Sequence, residues 1–152
     1  MKNHLFPFVI GFFLLLLTGD SYAMRGGLKW EGSGGWGSGA KYLSLYDVHS
    51  AVTISGVVEK VERFMPERGM GYGIHLLVKT DTETIPVHLG PLWFLQKQDI
   101  RIEEKDRIEV NGSRITFDGK PAIIAATVTK GDETLVLRDK AGIPAWIGWR
   151  KR

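Results

Sequence analysis

The stretch from Gly71 to Leu95, GYGIHLLVKTDTETIPVHLGPLWFL, constrains the chain more than any other. Tyr72, Ile74, Leu76 and Val78 alternate with Gly73, His75, Leu77 and Lys79; after a polar TDTET run, Ile85, Val87 and Leu89 alternate with Thr84, Pro86 and His88. Period-two alternation marks a strand with one face buried, and the Asp/Thr run supplies the turn between two such strands. A two-residue turn at Asp81-Thr82 pairs Val78 with Ile85, Leu76 with Val87 and Ile74 with Leu89 on the inner face, and sets His75 opposite His88 on the outer face. A slip of one residue would turn the apolar set to solvent, so this register is favoured. Gly90-Pro91 ends the second strand. Pro91 suits the first helical position, where its missing N–H has no partner to lose, and predicts a helix over Leu92 to Gln98.

The flanking segments place this hairpin in a larger sheet. Ala51 to Phe64 reads as a long strand whose apolar parity switches between Val58 and Val61, which predicts a bulge near Glu59-Lys60; Gly56 lets it bend. Met65 to Gly71 is the connecting loop. Arg107 to Phe117 is a strand with a second switch at Asn111-Gly112-Ser113, and Asp118-Gly119 is a strong hairpin turn into Pro121 to Thr129. Gly131-Asp132 turns again into Thr134 to Arg138, a candidate sixth strand. Three strands, a helix and two strands predict an all-β fold, a five-stranded Greek-key OB-fold β-barrel with one short helix. A small sandwich and an SH3-like barrel compete with it; the helix position favours the OB-fold.

The first residues are read separately. Met1-Lys2-Asn3-His4 is basic, the 13 residues from Leu5 to Leu17 are apolar, and Thr18 to Ala23 is polar with Ser21 and Ala23 as small residues before a cut. This is the pattern of a secretory signal peptide, and the apolar run is short of the roughly 20 residues that span a bilayer. Cleavage after Ala23 and a periplasmic or secreted product are expected, with membrane contact only if the segment stays uncleaved. The chain has no cysteine, which excludes a lipoprotein anchor, thiol chemistry, Cys-ligated zinc, iron–sulfur clusters and covalent haem. Residues 24–50 read as a Gly/Ser-rich flexible leader and lead-in, carrying Trp30 and Trp36, with an aromatic arm docked on a partner or on the chain's own barrel as the alternative. Residues 51–152 form the OB-fold domain, and its tail, AWIGWRKR, is expected to pack through Trp146 and Trp149 rather than lie on a membrane.

Several runs carry a family likeness: Gly56, His88-Leu89-Gly90-Pro91 followed by Trp93-Phe94, Asn111-Gly112-Ser113, and the ending Leu137-Arg138-Asp139 through Gly142-Ile143-Pro144 to Trp146 and Gly148-Trp149-Arg150. On these the chain resembles small exported bacterial OB-fold proteins, and its HLGP–WF and tail patterns are similar to the OB-type domain of magnetosome-associated proteins. The resemblance implies a binding module. Some relatives of that kind carry separate haem-binding segments, a property that a chain without cysteine does not inherit.

An OB-fold generally binds on the face of strands two and three, between the loops joining strands one–two and four–five. The outward candidates are Arg63, Arg68, His75, Lys79, His88, Arg114 and Lys120. His75 and His88, opposed across two strands, are a candidate pair for zinc, copper or nickel. A stable site needs about four ligands, or three and a water. His49 supplies a third only if the lead-in folds back, and Asp81 and Glu83 lie at the far end of the hairpin. Single-strand nucleic-acid binding wants a basic groove with exposed aromatics; the net charge of +3 is mild, and the outer face shows no aromatic ladder. No nucleophile elbow, HExxH, P-loop or dinucleotide fingerprint occurs, and Glu103-Glu104 falls in a charged connection. The expectation is a non-enzymatic module of the cell envelope that recognises a protein or small charged ligand, with a metal-binding accessory protein and then a nucleic-acid binder as alternatives.

Overall fold

A computed structural model describes residues 33–147; the signal segment, Trp30 and Trp149 lie outside the described residues. Six strands follow one another: β1 (Ala51–Phe64), β2 (Gly73–Lys79), β3 (Thr84–Pro91), β4 (Arg107–Phe117), β5 (Lys120–Lys130) and β6 (Glu133–Val136), with the short helix α1 (Leu92–Leu95) after β3. The sheet order is β3-β2-β1-β4-β5-β6, and β3 also pairs with β5, so five strands close into a ring with β6 outside it. The closing contact is parallel and short, Val87 with Ile123 and His88 with Ile124. The fold is all-β, as the element order predicts.

The inner faces hold the core. Leu76, Val78, Ile85, Val87, Val110, Ile123 and Val128 are all sealed from solvent. Val78 faces Ile85, Leu76 faces Val87 and His75 faces His88, the register the turn chemistry dictates. The next pair departs from it: Ile74 lies opposite Gly90 instead of Leu89, because the ladder shifts between Ile74 and His75. That shift starts β2 at Gly73 and leaves Tyr72 outside it, 51% exposed, where alternation alone would point it inward.

The first expected bulge is present, with Glu59 as the extra residue of β1 against β2; the second register shift falls opposite Asn111 and Gly112, but its extra residue is Ala126 of β5, so β4 itself carries no bulge at the expected run. Gly56 sits just before the first; a Cβ there would run into the Lys79 carbonyl oxygen and press on Val78. The β4–β5 turn uses two left-handed residues, Asp118 at φ 49° and Gly119 at φ 75°. Such a pair matches the twist of the flanking strands. The helix is shorter than expected. After Leu95 the chain continues as a tight turn, Gln96 N–H donating to Leu92 O and Lys97 N–H to Phe94 O. The sixth strand ends at Val136, and Arg138 instead bridges to Pro144.

The largest departure is N-terminal. Residues 33–46 form a strap that is packed, not free, and they belong to one compact unit with the ring. Trp36 and Tyr42 are 1% and 2% exposed. The reason is that the glycines here make turns: Gly34 and Gly35 take φ of 64° and 84°, a left-handed pair that folds Trp36 back onto the sheet. Two short 3₁₀ turns, Lys41–Leu45 and Val48–Ser50, carry the chain from the strap into β1.

Candidate functional site

The outer face of β2 and β3, where the binding candidates cluster in sequence, divides into a covered half and an open half. The covered half is built on the histidine pair. Alternation aims His75 and His88 away from the inner core, yet His88 is only 2% exposed, because the strap and two strand-end phenylalanines lie over it. The ring centroids of His88 lie 4.4 Å from Phe64, 4.9 Å from Phe117 and 5.9 Å from both Tyr42 and His75. Trp36 packs edge-on against Tyr42, Phe64 and Trp146, and Phe94 continues the cluster from α1. The outer face thus does carry aromatics.

Hydrogen bonds inside this cluster stitch the strap down. The Tyr42 hydroxyl and His88 Nδ1 share a 2.7 Å hydrogen bond. Three indoles each donate to a backbone carbonyl: Trp36 to Gly71 at 2.9 Å, Trp93 to Ser33 at 3.1 Å and Trp146 to Trp36 at 2.9 Å. Gly71 N–H donates to Gly34 O. Gly73 and Gly90 admit these rings: a Cβ would come within 2.7 Å of Trp36 at the first and 2.8 Å of Trp146 at the second. The Gly90-Pro91 signal therefore serves the Trp146 contact as well as the strand end.

Burial, and then repulsion from His75, lowers the His88 pKa to about 3, so its imidazole is neutral. Burial pushes the Tyr42 phenol up, far above its ordinary range. His75 is half-buried, stacks on Phe64 at 5.1 Å and approaches Glu62 at 3.5 Å. His49 is exposed in the second 3₁₀ turn, its N–H held by Asp47. Among the described residues no group of three or more His, Cys, Asp or Glu side chains is placed to hold a metal.

The open half lies at the β1–β2 loop. Arg63 and Arg68 are exposed, and the Arg63 guanidinium sits 5.9 Å from the ring centre of Tyr72. Met65 is 48% exposed beside them in sequence. Lys79 and Lys120 are exposed beside the β2–β3 and β4–β5 turns. Arg114 is exposed but engaged, donating from both Nη atoms to the Glu83 carboxylate at 3.0 Å. That pair lowers the Glu83 pKa and raises that of Arg114. The seven candidates do not converge on one point. His75 and His88 are joined under the aromatic layer, while Arg63 and Arg68 share the β1–β2 edge with Tyr72.

Arg138, part of the run that carries the family likeness, was not among the binding candidates read from the sequence. It is 3% exposed, with its guanidinium 4.7 Å from the Tyr46 ring centre and 5.5 Å from that of Trp146. Its position in Leu137-Arg138-Asp139, before a Gly/Pro turn, carries no periodic signal that would announce burial.

These features define a class: a small all-β domain whose strand ring is sealed on one outer face by an aromatic N-terminal strap. The chain belongs to the MamS/MamX magnetosome protein family, whose model matches residues 50–135, from the start of β1 into β6. No curated protein matches the chain.

Proposed function

We propose that this chain is a non-enzymatic binding module of the cell envelope, exported behind residues 1–23, which takes a protein partner on its β1–β2 edge. Membership of a magnetosome family supports an accessory role of this kind. The observation that carries the reading is the exposed Tyr72, 51% open to solvent under the Arg63 guanidinium, with Met65 and Arg68 in the adjoining loop. Tyr, Arg and Met are the residue types enriched where one protein docks on another. The test is capture from envelope extracts with the wild-type chain and with R63E/Y72A in parallel. Both residues are exposed, so the double variant folds; partner yield falls at least tenfold. Equal yields from the two chains would remove the β1–β2 edge from consideration.

A second reading, metal on His75 and His88, has one observation in its favour: the two rings are opposed in register with centroids 5.9 Å apart. It requires His88 to ligate through Nε2 while Nδ1 keeps Tyr42. Zinc, copper and nickel titrations followed by imidazole NMR signals decide it. Unmoved His75 and His88 signals end this reading.

A further inference from the structure

Arg138 lies in a setting that its packing does not account for. Most arginines this buried pair with a carboxylate. Among the described residues none pairs with Arg138: the neighbouring Asp139 spends its Oδ1 on the backbone N–H groups of Ala141 and Ile143, 2.9 Å each. One guanidinium nitrogen is used, Nη1 donating to Gly142 O at 2.9 Å. Nε and Nη2 are buried and have no hydrogen-bond partner among the described residues. These two atoms are the side-on edge of the guanidinium, the planar fork that matches two carboxylate oxygens. Arg138 also lines an open cleft of about 440 Å³, with Leu43, Ile143, Pro144 and Ile147 as apolar wall and Ser38 and Ser44 as hydroxyls. Tyr46, half-buried, lines the same cleft and covers the guanidinium.

We propose that this cleft is a binding site for an apolar monocarboxylate, with the carboxylate on the Nε–Nη2 fork of Arg138 and the apolar body against Leu43, Ile143, Pro144 and Ile147. An orphaned pair of charged donors is costly to maintain inside a protein, and a planar bidentate anion satisfies both at once. The apolar wall selects a carboxylate with a hydrocarbon body over inorganic phosphate. Entry moves the Tyr46 ring off the guanidinium, so that ring reports occupancy. The site is separate from the β1–β2 edge and does not depend on the partner proposed there.

Two sources share this chemistry, a free alkyl acid and the C-terminal end of a peptide. Hexanoate and N-acetyl-leucine are the probes, with hexanol, N-acetyl-leucinamide and inorganic phosphate as controls. Binding is read by NMR from the Arg138 Nε–H and Tyr46 ring signals of the full chain. The expected result is saturable movement of both signals with one or both carboxylates, at least tenfold weaker with each neutral control and with phosphate. Preference for hexanoate identifies the free acid; preference for N-acetyl-leucine identifies the chain end. R138K removes the fork and weakens binding at least tenfold. If R138K fails to fold, I143E serves instead: Ile143 is 54% exposed on the cleft wall, and a carboxylate there weakens anion binding at least threefold with the fold intact. Equal binding of acids and neutral controls, tighter binding of phosphate, no movement of either signal, or full binding by I143E overturns the proposal.

Discussion

Acid should loosen this protein well above the pH at which carboxylates titrate, and His88 is the reason. Its imidazole is held neutral, with a pKa lowered from 6.5 to about 3 by burial first and by His75 second. In the unfolded chain the same ring protonates near its ordinary value. Between those two values the unfolded state binds more protons than the native one, so stability falls as pH falls from about 6.5 toward 3. Going from pH 7 to pH 5, the loss from this one group is about 2 kcal/mol; by pH 3 it exceeds 4 kcal/mol. Against a total of roughly 5–15 kcal/mol for a domain, the first figure is a measurable fraction. The depressed carboxylates Glu83 and Asp106 act in the same direction but lower, below their ordinary values of 4.5 and 3.8, so they leave the window from pH 7 to 5 alone. Urea unfolding at the two pH values gives the difference. The comparison is H88F/Y42F, which removes the titrating ring and its hydroxyl partner together and keeps the aromatic packing. The wild type loses about 2 kcal/mol and the double variant loses most of that dependence. A double variant as acid-sensitive as the wild type would refute the assignment to His88.

Two further outcomes follow from the same layer and from the ring beneath it. W36A removes a 1%-exposed indole and its bond to Gly71, at a cost of about 3–5 kcal/mol; hydrogen exchange then shows residues 33–46 deprotected while β4 and β5 keep their protection, and uniform loss across all elements would show that strap and ring are one inseparable core. G56A drives a methyl group against the Lys79 carbonyl at the bulged part of β1, costing about 1–3 kcal/mol in urea unfolding, and an unchanged midpoint would mean that the strands part there freely.

What could be read in the sequence depended on whether the determinant was local. The β2–β3 register was legible because side-chain period, turn length and apolar set all agree at Val78–Ile85 and Leu76–Val87. The β1 bulge was legible because it switches the parity of its own strand at Glu59, whereas the parity switch at Asn111-Gly112 marked a register shift whose extra residue, Ala126, is in the partner strand β5. The strap was not, because Gly/Ser composition is the same whether glycines confer freedom or supply left-handed turns. The deciding facts are non-local: Gly73 and Gly90 leave room for Trp36 and Trp146 only after β2, β3 and the tail have met. The signal that was present is the pairing of small and large residues, Trp36 and Tyr42 in one segment against glycines in strands, which propensity arguments treat separately.

The candidate site shows the same division. Opposition of His75 and His88 follows from local register, but their chemistry follows from what lies over them. An outward-facing histidine pair suggests ligands for a metal. Under Tyr42, Phe64 and Phe117 the same His88 becomes a buried neutral acceptor or donor whose partner is a phenol 2.7 Å away. Arg138 is the converse case. Sequence puts a cation at the end of a candidate sixth strand, where solvent is the ordinary partner; the bridge to Pro144 and the packing of Tyr46 and Trp146 take that solvent away and leave two donors without a partner among the described residues. In both places the residue type was visible and its electrostatic environment was made by segments distant in sequence. The electrostatic settings of His88 and Arg138 therefore come from how the strap and the tail cover the ring, and substitutions that uncover them should change those settings before they change the strand topology.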